Sequence, residues 1–211
     1  MHPSGVFRRT DHDALEALVS QTGFGVIFAP GSSGLFAAHA PVLLAQGTLR
    51  FHLSSANPLC AVMLQHGSAL VVVTGPHAYI SPDWYGAADQ VPTWNYLSAE
   101  IEGPLEALRP DETVALLDEL AAHFEAALAP KPSWSRSKMA PGRFEAMVSA
   151  ITGFRMRIER LEGVVKLSQN KSADQVERAA AQLAKRPDTG ALAIATLMRS
   201  AVRASTAASD D

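Results

Sequence analysis

Apolar positions along this chain switch between two periods, and the switches mark its elements. Residues 11–21 (DHDALEALVSQ) carry Leu15, Leu18 and Val19 at helical spacing, with Asp11 or Asp13 available as cap. Phe24 to Ala29 is a short apolar run that predicts a buried strand. Pro30 to Gly34 reads as a turn, and Leu35 to Leu44 as a further strand interrupted by Pro41. Gly47 to Leu53 alternates and predicts a strand. After Ser54-Ser55-Ala56-Asn57-Pro58 a helix is expected through about His66. Ser68 to Thr74 is rich in β-branched residues, His77 to Ile80 continues extended, Ser81 to Asp83 turns, Gly86 to Gln90 loops out, and Tyr96 to Leu105 returns as a strand. Strands this closely spaced suggest an antiparallel sheet curling into a barrel.

The later half is more helical. Pro110 to Leu128 is the clearest helix, with Asp111 and Glu112 in its first turn and Leu116, Leu117, Leu120 and Phe124 on its apolar face. Residues 129–142 (APKPSWSRSKMAPG) form a polar, basic, proline-rich loop, readable as a lid or as a solvated linker. A short helix is expected over 143–150. Ile151 to Leu161 alternates as a strand with Phe154, Met156 and Ile158 inward, and Gly163 is read as a turn into VVKLSQN. Ser172 and Asp174 open a helix carrying Val176, Ala180 and Leu183. Another helix is expected over 188–203, followed by a disordered ASTAASDD tail.

Composition narrows the classes. The chain has 211 residues, 47% of them hydrophobic and 18% charged, which suits a globular protein with a sizeable core. A net charge of −3 argues against a protein whose whole surface binds nucleic acid. Basic residues concentrate after residue 105, so any basic patch belongs to the later half. The single cysteine, Cys60, excludes an intramolecular disulfide and a cysteine-based metal site, and a buried inert thiol is expected. The N-terminus lacks a signal-peptide pattern, and no apolar run is long enough to span a membrane, so the cytoplasm is the expected compartment.

Candidate chemistry gathers in the stretch Thr74 to Tyr96 (TGPHAYISPDWYGAADQVPTWNY). Tyr79, Trp84, Tyr85, Trp94 and Tyr96 crowd there with His77 and Asn95. Flat rings with polar tips grip a planar polar ligand well and make poor core unless each tip finds a partner. A proline-rich loop packed on the domain is the competing reading. The HLSSANP run, His52 to Pro58, sets hydroxyls and an asparagine at a helix start, which is an ordinary cap or an anion site. No Gly-rich phosphate loop, no paired histidines at metal spacing and no nucleophile elbow occur, so no catalytic residue and no metal ligand is assigned. Any chemistry is expected to belong to a cofactor.

GPHAYISPDWY, VPTWNY and KLSQN, with AHAP at 38–41, HLSSANP and RLEG at 160–163, resemble the signature of the PaiB-like family over roughly residues 1–186. That resemblance implies an α+β fold: an FMN-binding split β-barrel, antiparallel and Greek-key-like, with peripheral helices and a C-terminal helical segment. It implies a split-barrel domain over 1–186 with a helical insertion around 110–150, then a helix and disordered tail over 187–211. It implies FMN as cofactor, with His39, His52, Ser54, Ser55, Asn57, His77, Trp84, Tyr85, Thr93, Trp94, Asn95, Lys166 and Gln169 as binding residues. Of these, His52, Ser54, Ser55 and Asn57 would take the phosphate. Trp84, Tyr85, Thr93, Trp94 and Asn95 would surround the ring, and Lys166 or Gln169 would close the site. It further implies a homodimer with two equivalent sites.

Three functions compete. The first is a flavin-binding protein with oxidoreductase activity. The second is the negative transcriptional regulator that the family description implies. Only Arg178, Lys185, Arg186, Arg199 and Arg203 could then contact DNA phosphates, and a solvated helical face is the bland alternative. The third is a haem- or other tetrapyrrole-binding or ligand-sensing relative without DNA binding, with His39, His52 or His77 as axial ligand.

Overall fold

The computed structural model describes residues 3–207, with the side chains of 205–207 left aside. The fold is α+β, built on an antiparallel eight-stranded sheet and six helices. In chain order the elements are β1 (Arg8–Arg9), α1 (His12–Thr22), β2 (Phe24–Gly31), β3 (Gly34–Ala45), β4 (Thr48–Ser54), α2 (Pro58–His66), β5 (Ser68–Ile80), β6 (Thr93–Ala107), α3 (Pro110–Ala126), α4 (Arg143–Val148), β7 (Ile151–Arg157), β8 (Arg160–Lys166), α5 (Ala173–Leu183) and α6 (Thr189–Ala207). Among the described residues no helix is long and apolar enough to cross a membrane.

The chain forms two compact units. Residues 1–18, 74–99 and 162–211 make the first, and residues 19–73 and 100–161 make the second. In the second unit β2 and β3 form a hairpin in which Gly31 faces Gly34, so only Ser32 and Ser33 make the turn. β3 runs unbroken through Pro41, against the expectation of an interruption. Pro41 faces Phe24 at the end of the β2 ladder, and from Val42 onward β3 pairs with β4 instead. A residue without N–H is tolerated where a strand changes partner. β4 pairs with β7 along its whole length, and Leu105 to Ala107 of β6 also reach β7. Leu49, Phe51, Phe154 and Met156 are fully buried as cross-strand neighbours on one face of the β4–β7 pair, with the Phe51 and Phe154 rings stacked at 5.4 Å. Ile158 is only half-buried, because β7 ends at Arg157.

Gly163 is not a turn. The strand breaks at Ile158–Glu159 without reversing, and Gly163 lies inside β8, facing Arg9 of β1. A Cβ there would sit 2.2 Å from Leu15 Cδ2 and 2.7 Å from the Ser98 carbonyl oxygen, so glycine serves close approach rather than chain reversal. On α3, Leu116 and Leu120 are buried, whereas Leu117 is half-buried and Phe124 is exposed.

The first unit has its own core. Ala78 and Ile80 of β5, Tyr85 and Leu167 meet Val176, Ala179, Ala180 and Leu183 of α5 and Ala191, Ile194 and Met198 of α6. Helix α5 opens on a capping box in which Ser172 and Gln175 satisfy each other's backbone donors. Ala204 to Ala207 of the expected tail extend α6, and 208–211 lie outside the described residues.

Candidate functional site

In the first unit the aromatic segment divides into a buried half and an exposed half. Pro82 to Tyr85 forms a short 3-10 turn that drops Tyr85 into the core, and Trp84 packs half-buried beside it. The Tyr85 hydroxyl meets Ser168 Oγ at 2.7 Å, and Asn95 Nδ2 donates to the same oxygen at 2.9 Å. All three residues are buried. Burial pushes the Tyr85 phenol upward, against a weaker opposing pull from its bond to Ser168. Arg178 Nε donates to the Tyr85 carbonyl, and Lys171 reaches Gln90 at 2.5 Å. The polar tips of Tyr85 and Asn95 therefore lock loop to sheet within the unit.

Trp94 points the other way and is 53% exposed. Its indole lies 6.0 Å from the His77 ring and 6.1 Å from the Tyr79 ring, the latter edge-on. His77 Nδ1 donates to the Gly75 carbonyl at 3.1 Å, which fixes the ring and leaves Nε2 as acceptor. One residue before Trp94, the Thr93 hydroxyl accepts from Lys166 Nζ at 2.6 Å. That amine also lies 5.7 Å from the centre of the Phe7 ring, and partial burial lowers its pKa. Thr93 and Trp94 are consecutive in β6 and project to opposite faces of the strand, so the indole shares its exposed face with His77 and Tyr79 and not with the Thr93–Lys166 pair. Gln169 is turned inward, donating to the Val165 carbonyl at 2.5 Å and accepting from Leu167 N–H at 2.7 Å. Tyr79 meets the indole because β5 lies beside β6, and Phe7, buried in the turn before β1, lies beneath the Lys166 amine; neither was assigned as a site residue from the sequence.

The second unit holds the other five assigned residues. Asn57 caps α2, its Oδ1 accepting from Leu59 N–H at 3.0 Å. Ser54 Oγ accepts from Ala56 N–H, and Ser55 Oγ meets Thr152 Oγ1 at 2.8 Å. The hydroxyls of Ser54 and Ser55 belong to exposed residues, as a site for a soluble phosphate requires. His52 faces Gly153 in the β4–β7 ladder, and its Nδ1 is buried without a hydrogen-bond partner. Burial lowers the His52 pKa. His39 stacks on Phe24 at 6.1 Å on an exposed face. Cys60 is buried, its thiol donates to the Ser54 carbonyl, and desolvation raises its pKa.

This architecture is that of the flavin-binding split barrels. Two solved structures share it: the FAD and Heme binding protein from Mycobacterium smegmatis (TM-score 0.59, 16% identity, 80% of this chain and 78% of that one) and the Flavocytochrome Anf3 from Azotobacter vinelandii (TM-score 0.63, 14% identity, 79% and 72%). Residues 1–160 match the family described as "Putative FMN-binding domain". The chain belongs to that family, and FMN is the cofactor the family assigns to it. It is also 27% identical over 196 residues to the Bacillus subtilis "Protease synthase and sporulation protein PAI 2", covering 91% of this chain and 93% of that one.

Proposed function

We propose that this chain is a cytoplasmic flavin-binding protein of the PaiB type that works as a homodimer and couples its flavin to regulation or to redox turnover. The observation that carries the reading is the exposed Trp94 indole flanked by the His77 and Tyr79 rings. In this reading Trp94 offers its face to the ring, with Trp84, Tyr85 and Asn95 holding the segment in place. Thr93 and Lys166 close the site from the other face of β6, and Gln169 shapes the strand end that carries Lys166. His52, Ser54, Ser55 and Asn57 are the phosphate-side residues, and His39 faces the ligand. Bound FMN supplies reversible electron and hydride chemistry. The test is the absorbance spectrum of the purified protein after FMN addition and desalting. Bands near ~370 and ~450 nm that persist in the wild type and vanish in Trp94→Ala support the reading, and a colourless wild type removes it.

Dimerisation is supported by an apolar face of the second unit. Phe24 and Leu35 are 50% and 83% exposed, next to half-buried Phe28, Leu70 and Val72. A stable monomer by light scattering at micromolar concentration defeats this part of the proposal.

Direct DNA contact is the weaker route to regulation. Arg199 pairs with Glu177, Arg186 with Asp188, Lys185 with Gln182, and Arg178 with the Tyr85 carbonyl, so four of the five basic candidates are already engaged. DNA binding, if it carries the regulation, falls steeply with salt. No gel shift at low salt removes it.

A haem-binding reading has one observation in its favour: His77 is exposed, and its Gly75 bond leaves Nε2 free as an axial donor. It requires a Soret band on haem addition that His77→Ala abolishes.

A further inference from the structure

Within the second unit, the start of α3, Arg136 of the 129–142 loop, α4 and β7 line a cavity of about 550 Å³ that is open on one side. Small-molecule sites commonly measure roughly 300–1,000 Å³. Its walls are apolar, with Leu108 and Val114 on one side, Phe144 and Val148 of α4 on another, and Ile151 at the start of β7. No residue of α4 is buried. Phe144 and Val148 are only half-buried, because they face this space rather than a packed neighbour. A six-residue helix has little intrinsic stability and depends on what its apolar side meets.

The loop leading to α4 is fastened at its base and not over the cavity. The Glu125 carboxylate of α3 accepts from Trp134 N–H at 2.8 Å and pairs with Lys131. Arg136 reaches Asp118 through a single 3.3 Å contact. Its guanidinium also lies 5.2 Å from the centre of the Phe144 ring, which puts a cation at the cavity edge. Two acids share the lining. Asp111 is held by Arg109 at 3.2 and 3.3 Å, and Glu145 is exposed. Arg136 is thus the charged group that can turn to a ligand, since exposed pairs such as Arg136–Asp118 hold weakly.

We propose that this cavity, which is lined by none of the residues assigned to flavin although its Thr152 meets Ser55, is a binding site for a small planar aromatic carboxylate. The flat body packs against Phe144 and Val148, and the carboxylate takes the Arg136 guanidinium in a two-pronged bond. Binding closes α4 over the ligand and buries the half-exposed Phe144 and Val148.

The test is calorimetric titration of the full-length protein with 1-naphthoate, alongside the neutral 1-naphthalenemethanol and the cationic 1-naphthylmethylamine. Saturable binding of the acid is expected at one site per chain, with the alcohol and the amine weaker by about tenfold or more. Arg136→Gln should remove the preference for the acid. Val148→Trp, on a helix that contributes no buried residue, should fill the space and abolish binding with unfolding temperature and FMN retention unchanged. Absence of saturable naphthoate binding to the folded wild type overturns the proposal. So does undiminished binding to Val148→Trp, or equal affinity for acid, alcohol and amine.

Discussion

The Tyr85 hydroxyl lies 2.7 Å from Ser168 Oγ, across 83 residues of sequence, inside the core of the first unit. Asn95 joins the same oxygen, so the aromatic segment and the KLSQN strand end are fastened through one serine. Ser168 holds a φ of 64°, a left-handed conformation uncommon for a residue other than glycine. The two buried partners that its hydroxyl meets offset that cost.

Removing the Tyr85 hydroxyl should be measurable in isolation. Tyr85→Phe is expected to lower unfolding free energy by about 1 kcal/mol and to leave Ser168 with Asn95 alone. A double-mutant cycle with Ser168→Ala in urea melts should show coupling of ~0.5 kcal/mol or more, and simple additivity contradicts the shared network.

Asn57 separates capping from phosphate binding. Asn57→Ala should cost about 0.5–2 kcal/mol as a lost cap, whereas Asn57→Asp keeps the cap. The carboxylate of Asn57→Asp should repel a phosphate, so FMN retention should fall with no loss of stability. Unchanged FMN affinity in Asn57→Asp takes the phosphate away from this corner.

Lys166→Met keeps an unbranched aliphatic side chain and deletes the charge that lies over Phe7 and beside Thr93. FMN affinity should weaken by about tenfold or more, as loss of a charge-assisted bond implies. Fluorescence titration of FMN against both proteins reads this directly.

Stability should fall with acid through His52. Its folded pKa lies below the ordinary value near 6.5, because burial disfavours the imidazolium. On acidification the unfolded chain therefore takes up this proton first. The His52 contribution is complete above about pH 6.5 and is lost as pH drops from there toward the folded pKa. His52→Gln should flatten the slope of urea stability against pH in that window, and an unchanged slope assigns the acid sensitivity elsewhere.

Gly103→Ala tests a close approach. The added Cβ would sit 1.9 Å from the Arg157 carbonyl oxygen, a backbone atom that cannot rotate away. A loss of roughly 1–3 kcal/mol or more is expected, read as a lower thermal midpoint.

Local patterning made most elements legible. β-branched and alternating runs marked β4 and β5, and helical spacing with acidic first turns marked α3 and α5. Gly163 was misread because glycine signals a turn and a close approach with the same letter, and only Leu15 and Ser98, far away in sequence, decide between them. Phe124 was placed inward by its spacing yet lies exposed, covering Gly23. The opposite fates of Tyr85 and Trp94 were equally hidden. Both belong to one aromatic run, and the serine that draws Tyr85 inward is contributed by a strand end some eighty residues later.

The family segment stops at residue 160, but the hydrophobic interior of the first unit does not. Leu167, Val176, Leu183, Ile194 and Met198 all come from beyond that boundary and cover Ile80 and Tyr85. A chain cut where the family likeness ends would leave those side chains bare to water and strip Asn95 and Tyr85 of the serine they share. In this protein, therefore, the stretch matched to the FMN-binding family ends before the stretch that closes the core of the first unit.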